Sequence, residues 1–125
     1  MTQQLTFDLP HLSATGAEDF MVSAANREAC ELVEAWPAWP APALVLCGPA
    51  GSGKSHLAAI WAGRSGARRL TAGELATGRV VELVEAKAAA IEDLDRGLRD
   101  EKALFHLLNQ ARDGRLSLLI TQRAE

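Results

Sequence analysis

The chain has 125 residues, 48% of them hydrophobic and 23% charged, with a net charge of −3. That balance fits one globular domain with a modest core and carries no basic stripe of the kind a nucleic-acid surface needs. The opening Met1-Thr2-Gln3-Gln4 lacks the positive start and apolar core of a signal peptide, and no apolar run reaches the ~18 residues of a membrane span, so the expected location is the cytoplasm.

Residues 1–19 are polar with scattered apolar positions and read as an extended segment. Within it, Gln4-Leu5-Thr6-Phe7-Asp8-Leu9 alternates, which puts Leu5, Phe7 and Leu9 on one face of an extended peptide. Residues 20–125 form the expected folded unit. A helix is predicted from about Ser23 to Trp36, because Ala29, Leu32, Val33 and Trp36 recur at spacings of three and four. Pro37 ends it, and the stiff connector Pro37-Ala38-Trp39-Pro40-Ala41-Pro42 leads into the first predicted sheet strand. Trp36 and Trp39 are expected to cover the sheet edge. Cys30 in the helix and Cys47 at the strand end are far apart in sequence, and a reduced interior suits them.

That strand is Ala43-Leu44-Val45-Leu46-Cys47, and the run from His56 to Ala62 after it is helix-like. Leu57, Ile60 and Trp61 form its apolar face, and Gly63 and Gly66 are its candidate stops. Arg64, Arg68 and Arg69 read as a solvated basic group beyond the helix end. A short edge strand is predicted over 68–71. Residues 79–86 are compatible with a helix or a strand. Lys87 to Asp93 reads as a small-residue strand ending in two acids. Over 100–113 a helix is predicted, with Asp100 capping it, Leu104, Leu107, Leu108 and Ala111 on one face, and Gly114 stopping it. Leu116 to Ile120 is a buried strand closing in Thr121-Gln122-Arg123. Strands alternating with helices predict an α/β fold, a three-layer α/β/α arrangement around a parallel sheet.

Between the first strand and its helix lies Gly48-Pro49-Ala50-Gly51-Ser52-Gly53-Lys54-Ser55, which fits the phosphate-loop pattern G-x-x-x-x-G-K-[ST]. Glycines let such a loop wrap so that its N–H groups converge on phosphate oxygens, and the following helix adds the positive end of its dipole. Lys54 would neutralise the outer phosphates and the Ser55 hydroxyl would hold Mg²⁺, with His56 next in line. A site of this kind also needs acids on a neighbouring strand tip, one for the metal's shell and one to orient the attacking water. Glu92 is the candidate for the metal and Asp93 for the water; their order leaves the division open, and Asp95 is a third carboxylate. Thr121 or Gln122 would supply the polar group near the outermost phosphate.

The run Gly53-Lys54-Ser55-His56-Leu57 resembles the phosphate loop of the bacterial DnaA-type AAA+ ATPases. Phe20-Met21-Val22-Ser23-Ala24-Ala25-Asn26 is similar to that family's F-V-V-G-x-x-N segment, which implies an adenine contact around Val22; Ser23 stands where the family has glycine. Thr71-Ala72-Gly73-Glu74-Leu75 resembles the strand exit after the family's first βα unit, Ile91-Glu92-Asp93 its Walker B end, and Leu119-Ile120-Thr121-Gln122-Arg123 its sensor 1 strand. The residues 4–9 resemble the Q-L-x-L-x-L peptide with which a regulatory branch of the family binds the replicative sliding clamp, implying contacts by Gln4, Leu5, Phe7 and Leu9.

The resemblance implies ADP or ATP with Mg²⁺ as ligands and the DnaA initiator and the sliding clamp as partners. The family's arginine finger, fifth strand and helical lid have no counterpart here, so autonomous hydrolysis is not expected. The family's sheet order then implies that the phosphate-loop strand lies on the sheet edge, where it would invite self-association. The other readings are an independent P-loop ATPase or small-molecule kinase, and a binding module with a crippled nucleotide pocket.

Overall fold

The computed structural model describes residues 19–23 and 27–123. The predicted clamp-type peptide, with Gln4, Leu5, Phe7 and Leu9, lies outside the described residues. The elements run β1 (Asp19–Ser23), α1 (Arg27–Glu34), β2 (Ala43–Gly48), α2 (Lys54–Ser65), β3 (Arg68–Thr71), two short 3₁₀ turns (Ala72–Glu74 and Thr77–Arg79), α3 (Val80–Ala86), β4 (Ala88–Glu92), α4 (Glu101–Arg112) and β5 (Ser117–Arg123). All pairings are parallel, in the order β1-β2-β5-β4-β3.

Parallel strands need crossovers, and the crossover helices cover the sheet. Strand alternation therefore separates two apolar layers. On one face Leu44, Leu46, Ala88, Ala90 and Leu119 pack with Ala29 and Val33 of α1 and with Leu57, Ala58 and Trp61 of α2. On the other, Val45, Leu70, Ala89, Ile91, Leu118 and Ile120 pack with Val80 and Leu83 of α3 and with Leu104, Leu107, Leu108 and Ala111 of α4. The small side chains of β4, weak strand formers by propensity, are wholly buried between these layers.

Two expectations at the N-terminal side are overturned. Residues 19–23 form a strand, so Ser23, placed at the start of the predicted helix, is a strand residue instead. This strand pairs with β2 from Asp19↔Ala43 to Ser23↔Cys47, so the sheet has a fifth strand and the phosphate-loop strand is not its edge. Self-association through β2 loses its basis, because its outer hydrogen-bonding groups are taken by β1. The apolar run Phe20-Met21-Val22, with one β-branched residue, suits a strand beside β2.

Smaller corrections follow the backbone. Gly63 lies inside α2, and Gly66 (φ 78°) ends it with its N–H donating to Ala62 O. Residues 80–86 are helical. Lys87 is not a strand residue; it takes a left-handed turn (φ 66°) that ends α3. Trp36 and Trp39 pack on buried Trp61 of α2, with ring centroids 5.9 and 5.0 Å away, and Trp36 Nε1 donates to Ser117 Oγ at 2.9 Å. Arg64 is not merely solvated: it donates to the Glu34 and Trp36 carbonyls at the end of α1, at 2.6 and 3.1 Å.

Asp100 caps α4 as expected, accepting from Ala103 N–H and also from the N–H and hydroxyl of Thr77, each at 3.0 Å. The backbone bond from Ala103 first, then those from Thr77, hold its carboxyl below the usual value. A depressed folded pKa gives stability that is present above the unfolded carboxylate pKa and lost as pH falls through the folded one. Replacing Asp100 by Asn, which keeps an acceptor but does not titrate, is expected to flatten the loss of stability below about pH 4, read by urea denaturation across pH 2.5–7; an unchanged acid limb would contradict this role.

Candidate functional site

The C-terminal ends of β2, β5 and β4 lie side by side, so the loops that leave them share one rim of the sheet. In open parallel sheets this rim is where ligands bind. The loop after β2 is 48–55. Gly51 (φ 82°) and Gly53 (φ 96°) are left-handed, and a Cβ at either would meet nothing within 4 Å. The backbone dihedral, and not a shortage of space, is what requires glycine there.

Gly53 precedes α2 with no side-chain cap, and the first turn of the helix holds no acid. Its leading N–H groups are therefore left for an anion, with the helix dipole aligned toward it. Lys54 is only 8% exposed, and its ammonium donates to the carbonyls of Gly48 at 2.6 Å and Pro49 at 2.9 Å. The loop is thus wrapped around its own positive charge. A cleft of about 440 Å³ opens here, lined by Ala50, Gly51, Gly53, Lys54, Ser55, His56 and Asp93.

Across the cleft, the end of β4 is tied to the end of β5. Thr121, buried, accepts Asp93 N–H on its hydroxyl and Leu94 N–H on its carbonyl, both at 2.9 Å. Asp93 itself is left-handed (φ 58°), a turn that Asp tolerates and that these bonds hold. Asp95 accepts Arg123 N–H at 2.8 Å, so this third carboxylate serves the rim's backbone. Gln122, fully buried on the opposite face, donates to Cys47 Sγ at 3.2 Å. Burial pushes the Cys47 thiol up, against the lowering effect of that bond and of Lys54.

The predicted site residues are thus only partly assembled. Gly51, Gly53, Lys54, Ser55 and His56 share the cleft with Asp93, and Thr121 stands behind Asp93 as its backbone anchor. Glu92 does not join them: its Oε2 accepts from Arg69 Nε at 2.7 Å, and its side chain is 11% exposed. Its carboxylate is engaged by an arginine and does not line the cleft. The turn after β4 swings the next residue, Asp93, to the cleft instead. Val22 lies in β1 opposite Leu46. The Arg69 contact was not foreseen from the sequence: Arg69 lies in the charged edge strand Arg68–Thr71 and Glu92 ends the apolar strand Ala88–Glu92, and only the register Arg69↔Ala90 brings them together.

A nucleotide's phosphates fit the uncapped helix start and the glycine turn. Among the described residues no group of three or more His, Cys, Asp or Glu is placed to hold a metal. Ser55 and Asp93 are the side-chain oxygens the cleft offers to a cation. No protein-family model matches the chain, and no curated protein matches it.

Thr121→Val removes the acceptor for Asp93 N–H in a near-isosteric side chain. It is expected to cost about 0.5–1.5 kcal/mol in urea denaturation, the usual net worth of an intramolecular hydrogen bond, since this one is only part-buried, while Thr121→Ser is expected to retain most of the stability. Equal loss in both variants would mean that the hydroxyl is not what holds the turn.

Proposed function

We propose that the chain is an adenine-nucleotide-binding P-loop domain of the AAA+ class, taking ADP or ATP with Mg²⁺ in the cleft beside Gly48–Ser55. The single observation that carries this is the joint geometry of the loop: two left-handed glycines and an uncapped twelve-residue helix open onto a cleft that Asp93 closes from the neighbouring strands. Gly48, Pro49, Ala50, Gly51, Ser52, Gly53, Lys54, Ser55 and His56 bind the phosphates. Asp93, anchored by Thr121, is the acid positioned to accept a proton from, or orient, an attacking water. Mg²⁺, when bound, would supply charge neutralisation at the phosphate oxygens.

Within that class the particular reading is an Hda-type regulator of replication initiation. It rests on the resemblance of the loop, of residues 20–26 and of Ile91-Glu92-Asp93, together with the clamp-type peptide Gln4–Leu9. In this reading the nucleotide shapes a surface presented to the DnaA initiator, the sliding clamp is bound through residues 4–9, and hydrolysis takes place at DnaA's own site. One observation favours holding a nucleotide over turning it over: Glu92, at the strand tip where a P-loop ATPase wants a free acid, is committed to Arg69. Steady-state ATP turnover by the isolated chain would instead favour an independent P-loop enzyme.

Lys54→Ala removes the cation at the phosphates and is expected to weaken fluorescent ADP binding by tenfold or more, about 1.4 kcal/mol or above; equal binding by both chains would contradict the site. Gln4→Ala is expected to weaken association with the sliding clamp by roughly tenfold on the same scale, measured by surface-immobilised clamp titration. Unchanged clamp affinity would remove the support for the Hda-type reading while leaving the nucleotide site standing.

A further inference from the structure

At the pole of the sheet opposite the phosphate loop, three segments enclose a cavity of about 470 Å³. Strands β2, β5 and β4 are neighbours, so the residues that lead into them converge there. The connector before β2 gives an apolar wall, Trp39 between Pro37, Pro40 and Pro42. The turn before β4 gives Lys87, and the turn before β5 gives Arg112 and Arg115. Backbone bonds fasten the three leads to one another: Ser117 N–H donates to the Lys87 carbonyl at 3.1 Å and Leu118 N–H to the Pro42 carbonyl at 3.2 Å.

The chain carries a net charge of −3, yet no acidic side chain lines this cavity. Basic residues at helix ends commonly serve the last carbonyls. Here backbone N–H groups already take those carbonyls: Lys87 donates to Val84 O, Gly114 to Ala111 O and Arg115 to Gln110 O. The exposed side chains of Lys87 and Arg115 make no hydrogen bond or ion pair among the described residues. Lys87 also holds a left-handed turn (φ 66°), where glycine or asparagine would sit with less strain. The turn thus presents a charge in place of the residue its backbone favours.

We infer that this cavity docks an extended acidic peptide of a partner protein, its carboxylates meeting Lys87 and Arg115 and an apolar side chain resting on Trp39 and the prolines. Charge complementarity argues for the acids: the charged groups on the wall are all cationic. The geometry argues for a peptide over a point anion, because the cations come from two separate turns and the apolar wall from a third segment. The prolines add rigidity and offer no N–H that must stay hydrated, so the wall meets an apolar side chain at small cost in order. The inference is independent of the nucleotide reading, since it uses no residue of the phosphate loop.

The test is fluorescence anisotropy with a fluorescein-labelled peptide of glutamates around a central phenylalanine, and with its lysine counterpart, on the full chain. The acidic peptide is expected to bind saturably, and to weaken several-fold between about 50 and about 300 mM NaCl. Lys87→Asn and Arg115→Gln are each expected to weaken it about threefold, and the double variant roughly tenfold. Lys87→Asn suits the left-handed turn and is expected not to lower the melting temperature, which separates lost charge from lost fold. Lys54→Ala is expected to leave peptide binding unchanged. No saturable binding, equal affinity in the double variant, or equal binding of the lysine peptide would overturn the inference. Loss of binding in Lys54→Ala would place the peptide at the phosphate loop and overturn it too. So would displacement of the peptide by an equal concentration of inorganic phosphate, which would make this a point-anion site. Self-association in sedimentation that the double variant abolishes would give the face to a second copy and equally overturn the assignment.

Discussion

Every strand of this sheet runs in the same direction, and most of the molecule follows from that. A parallel sheet cannot be closed by hairpins, so each strand must be followed by a crossover, and the crossovers bury both faces. The central strands are accordingly apolar on both sides: Leu44 and Leu46 face α1 and α2, while Val45 and Ile120 face α3 and α4. The same constraint sends every strand's exit to one rim. The glycine loop after β2, the acids after β4 and the polar end of β5 are therefore neighbours although they are separated by dozens of residues in sequence.

What turns that neighbourhood into a shaped cleft is hydrogen bonding between strand ends. Thr121 holds the backbone of Asp93 and Leu94, and Asp95 holds the backbone of Arg123. These ties consume one carboxylate and one hydroxyl that a reading of residue types alone would assign to chemistry. They leave Asp93 lining the cleft with the glycine loop 48–55. Lys54 is constrained in the same way, its ammonium enclosed by the carbonyls of Gly48 and Pro49. The rim is thus preorganised by polar groups whose first duty is to the backbone, an arrangement suited to holding a charged ligand at fixed geometry.

Much of this was legible in the residues. The alternation of apolar strands with helical patterns specifies the layers. The loop pattern and its glycines specify the turn before α2, because the left-handed φ at Gly51 and Gly53 is a demand only glycine meets without strain. Asp100 was recognisable as a cap because its acceptor and the apolar face behind it occur together. Three features were not legible. Residues 19–23 carry a short run that periodicity cannot assign to strand or helix, and only pairing with β2 decides it. The commitment of Glu92 to Arg69 depends on strand register, which local sequence does not encode. The packing of Trp36 and Trp39 on Trp61 joins three aromatic residues through tertiary contact, where spacing in the chain is silent.

The central claim is that the rim around Gly48–Ser55 is a phosphate site. Backbone amide NMR of the chain during ADP titration tests it most directly. The account predicts saturable shifts concentrated in residues 50–56 and at Asp93, with residues 111–117 at the opposite pole of the sheet unmoved. Absence of saturable shifts, or shifts centred at that opposite pole, would contradict it.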